Sequence, residues 1–506
     1  MDRPAHGASS HAAPGVNQAG AADDVNRTAA APATTDPVLC VDLDRTLVAA
    51  DTLVEALLQM LRRNPALLLL LPWWLLRGRA HFKEQVARRA ELDAARLPYN
   101  PEVLAFLQRE RQRGRTLVLA TAADRRIAAA IAAHLGLFSA VFASDGKVNL
   151  KGQAKADTLV RCYGAGGYVY VGDAWADLPV WRDAAGAVLV GGSPELTARV
   201  AQLVPDLRQL GTAQPGIATA LLRLARPHQW VKNLLLLVPL VTAHRVGDAS
   251  AWIAACEGIV AACLASSAVY AVNDVSDLSA DRGHPVKRAR PLASGQLQAR
   301  TALRFAAAAA MLALLVGAHL PAPFGVALIA YFAGTTVYTL WLKRVAYADV
   351  VALASLYVLR VQLGAAAIDV PASRWLLGFT GLLFLCLALL KRHVEISEAA
   401  GSGRDLRPSR GYPTDQAPMV AWLGFASGLA AVVTLGFYAG SREAALYYAR
   451  PDLLWGLLPL VALWLGRAWA MALQGRMEDD PVAFAVRDGA TYATLAAMGA
   501  LLLLAA

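Results

Sequence analysis

The chain has 506 residues, of which 57% are hydrophobic and only 17% charged, with a formal net charge of +10 and 5 cysteines. Soluble domains average about 25% charged residues, so this composition excludes a purely soluble protein, and its apolar content excludes a disordered one. The cysteines (Cys40, Cys162, Cys256, Cys263, Cys386) are odd in number and far apart. That excludes a disulfide-stapled fold and suits reduced structural thiols. In so apolar a chain, the positive charge points to anionic lipid and phosphate-bearing substrates, not to nucleic acid.

Residues 1–36 are rich in Ala, Gly, Pro, Thr and Asp and lack periodicity and a signal-peptide core, so a disordered tail is expected. Residues 37–210 read as a soluble α/β domain. Three β-type runs, Val38–Val41, Thr116–Ala120 and Tyr168–Val171, are each followed by helical pattern, as in a parallel sheet with crossover helices. Within it, Ala66–Leu76 (ALLLLLPWWLL) is too short to cross a bilayer, is broken by Pro72 and is followed by Arg77, Arg79, His81 and Lys83. It reads either as an interfacial helix or as an ordinary buried helix of a cap subdomain. Residues 211–229 form a linker.

Residues 230–506 read as an all-α polytopic bundle of about nine transmembrane helices, near 231–244, 251–272, 301–319, 323–341, 348–367, 374–391, 417–438, 452–472 and 488–506. With the soluble domain placed inside, the inner loops carry 14 Lys and Arg and the outer loops 4. This predicts an inner (plasma) membrane protein with its amino-terminal domain and active sites on the cytoplasmic side.

The first strand runs into Asp42-Leu43-Asp44, which puts two carboxylates on one side at the carboxyl edge of a parallel sheet. A second strand ends at Thr121, Lys155 follows a loop, and the third strand leads to Asp173 with Asp177 four residues on. Carboxylates, a hydroxyl and a lysine after separate strands suit phosphoryl transfer with Mg²⁺. The set DLDRT, LATA, Lys155 and GDAWAD resembles the four motifs of the haloacid dehalogenase (HAD) superfamily over about 38–205. The resemblance implies a Rossmann-like HAD phosphatase domain with Asp42 as nucleophile and Asp44 as general acid/base. Thr121 and Lys155 would bind the phosphoryl group. Asp42, Asp44 (through its carbonyl) and Asp173 would hold the metal, supported by Asp177. Arg45 stands where the family commonly has Gly. A degenerate domain retained for docking is the alternative.

At the inner end of the second span, Asp274, Asp277 and Asp281 in NDVSDLSAD fall at i, i+3 and i+7 on one predicted helical face. Three close carboxylates beside a membrane call for a divalent cation, Mg²⁺ or Mn²⁺, and such a site suits a diphosphate. Asn273 adjoins them, and Lys287, Arg288 and Arg290 follow as cations for phosphate oxygens. The next inner loop supplies Lys343 and Asp349, and the following span Arg360. Ionisable groups at such depth are functional candidates, a mutual Asp349–Arg360 ion pair being their structural alternative. Arg226 and Lys232 lie before the first span, where Lys232 could equally snorkel to headgroups. Lys391 ends the sixth span, where it could also form an i,i+4 pair with Glu395.

RPHQWVKN, NDVSDLSADRGHPVKRARPLASG, YTLWLKRVAYADVVALASLYVLR and LLKRHVEIS resemble the UbiA superfamily over about 222–506, closest to its decaprenyl-phosphate phosphoribosyltransferase branch. The second loop lacks the DxxxD of quinone-type members, since only Asp349 is present. The resemblance implies transfer of phosphoribose from phosphoribosyl diphosphate (PRPP) to a polyprenyl phosphate. Asp274, Asp277, Lys343 and Asp349 would be catalytic, and Lys232, Asn273, Lys287, Arg288, Arg290, Arg360 and Lys391 substrate-binding. The fused HAD domain would remove the 5-phosphate of the product. A prenyl transfer to an aromatic acceptor, with the HAD domain regulatory, is the second reading, and a transporter or scaffold the third.

Overall fold

The structure, a computed structural model, describes residues 36–211, 216–401, 411–477, 484–485 and 487–506. The tail expected over residues 1–36 lies almost wholly outside these. The chain divides into two compact units, Met1–Ala220 with Val275–Arg300, and Leu221–Asp274 with Thr301–Ala506. The polar stretch that follows the second span thus groups with the α/β unit.

The α/β unit is built on a six-stranded parallel sheet, β1 (Val38–Val41), β2 (Leu117–Asp124), β3 (Ala140–Ser144), β4 (Tyr168–Gly172), β5 (Gly186–Val190) and β6 (Leu207–Leu210), in the order β3-β2-β1-β4-β5-β6. Both faces are covered, as a parallel sheet requires. Leu39, Val41, Leu117 and Leu119 pack into one core, while Val38, Cys40, Val118 and Ala120 pack into the other. The strand order reverses between β1 and β4. Their carboxyl ends therefore form the crevice where open α/β sheets place their ligands.

Between β1 and β2 the chain inserts a helical cap of α1 (Thr52–Arg63), a 3-10 helix (Pro65–Leu70), α2 (Leu71–Leu76) and α3 (Arg79–Arg89). Asp51 caps α1 by accepting from the Val54 amide, while Met60, Trp74 and Val86 bury the inner side of the cap. The segment Val275–Arg300 is tied to this cap by Arg282, which donates to both oxygens of Glu55 at 2.9 and 2.7 Å.

The second unit is helical. Among the described residues, seven helical stretches are long and apolar enough to cross a membrane: Ala249–Ser276, Ala299–Gly317, Ala322–Arg344, Ala348–Ala367, Arg374–Gly401, Thr414–Ala439 and Pro451–Leu473. This falls short of the nine expected from sequence. The region read as a first span is a 3-10 helix, Pro227–Leu237, followed by a short α-helix, Val238–Thr242, since Pro239 has no N–H with which to continue an α-helix from the preceding turn. The last, Gly489–Ala505, has only 17 residues. The sixth predicted span continues to Gly401, so the expected loop after residue 391 begins as helix.

Candidate active sites

β1 ends at Val41, and the Asp42 amide donates to Val171 O at 2.9 Å, which fastens the loop after β1 to β4. Asp42, Asp173 and Asp177 bring carboxylate oxygens within 4.8 Å of one another, a set able to hold a metal ion. Lys155, entering on the helix Gln153–Tyr163, places Nζ 3.0 Å from Asp42 Oδ1 and 3.4 Å from Asp177 Oδ1. It also donates to the Tyr170 hydroxyl at 2.6 Å, which in turn donates to Asp177 Oδ1 at 3.1 Å. Tyr170 was not singled out in the sequence. It alternates with Tyr168 along β4 and is legible only as one more core aromatic.

Burial drives the electrostatics here. It raises the Asp42 carboxyl from 3.8 to about 7 against the pull of Lys155, with Asp177, Asp44 and Asp173 adding to the rise. Asp173 rises to about 6 for the same first reason, moderated by Arg45. Burial alone would discharge Lys155, but Asp42 and Asp177 outweigh it and hold the ammonium above its ordinary range. Acids held so high have a deficit of positive charge, which a divalent cation corrects. The donor set, oxygen only and clustered, fits a hard cation such as Mg²⁺.

Asp44 Oδ1 accepts from the Thr52 amide at 2.7 Å, which aims it from the mouth of the cap. Burial, together with Asp51, raises its carboxyl. Thr121 is fully buried, and β2 does not end there as expected but continues to Asp124 with a register irregularity after Ala120. Thr121 Oγ1 accepts from the Ala123 amide at 3.0 Å, which holds this turn.

Arg45 takes φ 64°, the left-handed region that favours glycine, and its Nε lies 3.3 Å from Asp173 Oδ2. The substitution of the family's usual Gly therefore adds a cation beside the acids at a cost in backbone strain. Lys83, the last cation of the basic flank after Leu76, points inward. It donates to Ala122 O at 2.5 Å and Asn149 Oδ1 at 2.8 Å, and burial lowers its pKa although Asp44 opposes this.

In the helical unit, Gly364 decides a close approach. A Cβ there would lie 2.2 Å from Leu236 O, so only glycine lets the segment Pro227–Leu237 rest against the helix Ala348–Ala367. Asn233 is thereby delivered to Arg360, whose Nε donates to Asn233 Oδ1 at 3.1 Å. Its Nη1 donates to Leu356 O at 3.1 Å and its Nη2 to the Tyr331 hydroxyl at 2.9 Å, which also meets Ser266. The guanidinium is flanked by the Tyr331 and Tyr357 rings at 5.1 and 5.2 Å. Among the described residues this buried cation has no carboxylate partner.

The alternative of an Asp349–Arg360 pair is thus corrected. Asp349, fully buried, is paired with Arg392 at 2.5 Å and accepts from Tyr412 at 2.7 Å. Arg392 also pairs with Glu395 one turn on. Arg392 was hidden in the sequence because the helix appeared to end one residue earlier. Lys391 is half-buried, as is Lys232. Lys343 Nζ donates to Asn273 Oδ1 at 3.3 Å, which joins a residue expected to be catalytic to one expected to bind substrate.

The predicted continuous face of Asp274, Asp277 and Asp281 is also corrected. The helix ends at Ser276, Asp277 takes φ −96° and ψ 8°, and a new helix, Leu278–Arg282, starts beyond it. Asp274 belongs to the helical unit, where it pairs with Arg226, whose guanidinium lies 5.1 Å from the Tyr270 ring. Asp281 belongs to the α/β unit, where it pairs with Arg290 at 2.6 Å. Lys287 and Arg288 follow on the 3-10 turn Lys287–Ala289, with Arg288 exposed.

Fold and sites define a multi-pass membrane protein with a parallel α/β hydrolase domain at its amino-terminal side. The UbiA prenyltransferase family matches residues 235–503, and the haloacid dehalogenase-like hydrolase family residues 39–182. The chain belongs to the UbiA prenyltransferase family and carries an amino-terminal HAD hydrolase domain. Uncharacterized protein y4nM of Sinorhizobium fredii is 36% identical over 461 residues, 90% of this chain and 88% of that one. An alignment that long must run through both domains. Nodulation protein NoeC of Azorhizobium caulinodans is 32% identical, covering 53% of this chain and 86% of that protein. Decaprenyl-phosphate phosphoribosyltransferase of Mycolicibacterium smegmatis is 30% identical, covering 55% of this chain and 90% of that protein.

Proposed function

We propose that the UbiA unit transfers phosphoribose from PRPP to a polyprenyl phosphate, and that the HAD domain then removes the 5-phosphate of the lipid-linked product. The observation that carries this reading is the presence, on one chain with a unit similar to decaprenyl-phosphate phosphoribosyltransferases, of the clustered acids Asp42, Asp173 and Asp177 around buried Lys155, a set that suits a metal-assisted phosphomonoester reaction. The proposed transferase product bears such an ester, which gives the fusion a chemical reason.

In the transfer, a phosphate oxygen of the lipid attacks the anomeric carbon while the bond to diphosphate breaks and diphosphate leaves. Asp274, Asp277 and Asp281 are the proposed ligands of Mg²⁺ or Mn²⁺, which would neutralise the departing diphosphate. Arg226 and Arg290, paired with Asp274 and Asp281, are cations suited to phosphate oxygens beside these acids. Lys343, Asn273, Lys287 and Arg288 are proposed partners of the donor's phosphates, as are Lys232 and Lys391. Arg360, buried without a carboxylate, is the proposed anchor of an anionic substrate group at depth. Asp349 is buried in its pair with Arg392, so in this reading it orients that corner of the bundle.

In the hydrolysis, an Asp42 oxygen attacks phosphorus and Asp44 gives its proton to the departing ribose O5. Asp44 then takes a proton from the water that opens the aspartyl-phosphate, releasing phosphate and restoring Asp42. Mg²⁺ held by Asp42, Asp173 and the Asp44 carbonyl, with Asp177 in support, would screen the phosphate charge. Lys155 and Thr121 hold the phosphoryl group. Both sites are proposed to face the cytoplasm of an inner-membrane protein, where PRPP is available.

The test is mass spectrometry of lipid products from the purified protein given polyprenyl phosphate, PRPP and Mg²⁺. Wild type should yield lipid-linked ribose, and Asp42→Asn should accumulate its 5-phosphate. Identical phosphorylated products from both would remove the phosphatase step. Product formed only from prenyl diphosphate and an aromatic acid would replace the transferase reading.

A further inference from the structure

The cap carries a surface that the hydrolase chemistry does not use. Leu67, Leu71 and Trp74 turn inward onto the cap core. Leu68, Leu69, Leu70, Trp73, Leu75 and Leu76 turn outward, with Leu69 and Leu76 82% and 83% exposed. Six large apolar side chains from nine consecutive residues form a contiguous patch, unlike the single exposed leucines of any surface. The cations at its edges are of one sign. Arg62, Arg77 and Arg79 are exposed, and residues 62–83 contain no Asp or Glu. The Arg77 guanidinium lies over the Trp73 ring at 4.9 Å, a pairing of apolar body and charged tip that suits the depth of lipid headgroups.

We infer that Leu68–Leu76 is an interfacial anchor that seats the cap in an anionic lipid bilayer. Leu69, Trp73 and Leu76 enter the boundary between headgroups and acyl chains, and Arg77 and Arg79 meet headgroup phosphates. The stretch Pro65–Leu76 has 12 residues, about 18 Å even if fully α-helical, against a hydrocarbon core of roughly 30 Å. It therefore lies in the interface and does not span. Charge complementarity selects the bilayer over an apolar protein groove, and a chain with seven membrane-crossing helices is never far from one. The same cap carries Lys83, which reaches into the hydrolase site, so the anchor would hold that site's mouth at a lipid surface. This last consequence rests on the phosphatase reading, whereas the bilayer contact does not.

The experiment uses the full chain in nanodiscs of phosphatidylglycerol and phosphatidylcholine doped with a diazirine-bearing phospholipid. Irradiation and peptide mass spectrometry then map the lipid adducts. The peptide containing Leu68–Leu76 should be labelled roughly tenfold above the exposed helix Pro101–Gln112 of the same domain. The triple variant Leu69→Gln, Trp73→Gln and Leu76→Gln should fall to the level of that reference helix. Its thermal unfolding should stay unchanged, because these side chains face outward. Discs of phosphatidylcholine alone should label the peptide several-fold less. Wild-type labelling no higher than the reference helix overturns the anchor. Cross-links between the caps of two copies without lipid adducts also overturn it, and would assign the patch to self-association. Labelling indifferent to the anionic lipid overturns the role given to Arg77 and Arg79.

Discussion

Replacing Lys155 by Met tests whether one buried ammonium holds the hydrolase site together. Its side chain is 3% exposed and that of Asp177 4%, and Nζ is shared by Asp42, Asp177 and the Tyr170 hydroxyl. Methionine fills the same volume but leaves two buried carboxyls without their cation, a loss worth roughly 3–5 kcal/mol. For a domain of this size, at about 2–4 °C per kcal/mol, Tm should fall by roughly 10 °C. The pH dependence has a definite sign. Folding raises the Asp42 carboxyl from 3.8 to about 7, so the folded state binds its proton the more tightly. That contribution is fully present below about pH 4 and is lost as pH rises through about 7. Without Lys155 the carboxyl moves higher still, so the deficit of the variant should be greatest at pH 8 in chelator and shrink towards pH 5.5. Adding Mg²⁺ at about a hundred times its dissociation constant should return roughly 2.7 kcal/mol to whichever form binds it. Thermal unfolding by intrinsic fluorescence at both pH values, with and without Mg²⁺, reads all of this. A variant that melts with wild type at pH 8 in chelator would refute the argument. So would a deficit that grows as the pH falls.

Asp277→Ala should lower transfer by roughly a hundredfold or more while Tm changes little, because a metal-held diphosphate loses a ligand; near wild-type turnover would take this acid out of the mechanism. Arg360→Lys should cut transfer at least about tenfold and cost roughly 1–3 kcal/mol, because an ammonium cannot serve Asn233, Leu356 O and Tyr331 together. Unchanged product formation would deny Arg360 a role in substrate binding. Arg45→Gly should raise Tm by a few degrees, about 0.5–1 kcal/mol, by relieving the left-handed backbone. A lower Tm would mean that the ion pair with Asp173 outweighs that strain.

Much of this protein is legible in one dimension wherever the signal is local. The strands ending at Val41 and Gly172 announce themselves by β-branched and aromatic runs, and carboxylates just past a parallel strand must lie at its carboxyl edge. The structure brings Asp42, Asp173 and Lys155 together at that edge. The apolar lengths likewise determine that the second half is a membrane bundle, because a bilayer admits little else.

What the sequence could not determine depends on packing between distant segments. Asp349 and Arg360 share the helix Ala348–Ala367, where a separation of about 16 Å along the axis keeps them apart, but which other cation reaches Asp349 turns on which helix faces which. The fold gives Asp349 to Arg392 and leaves Arg360 to Asn233, brought there because Gly364 has no Cβ. Helix continuity was another such case. The i, i+3, i+7 spacing of the acids promised one face, but the chain breaks at Asp277, and Asp281 is held by Arg290. The direction of Lys83 follows the same logic. In sequence it belongs with Arg77 and Arg79, and only the rotation of α3 against β2 turns it inward to Ala122 and Asn149 while its neighbours stay in solvent. Periodicity tells which residues share an element, whereas the partner across a gap is decided by tertiary packing alone.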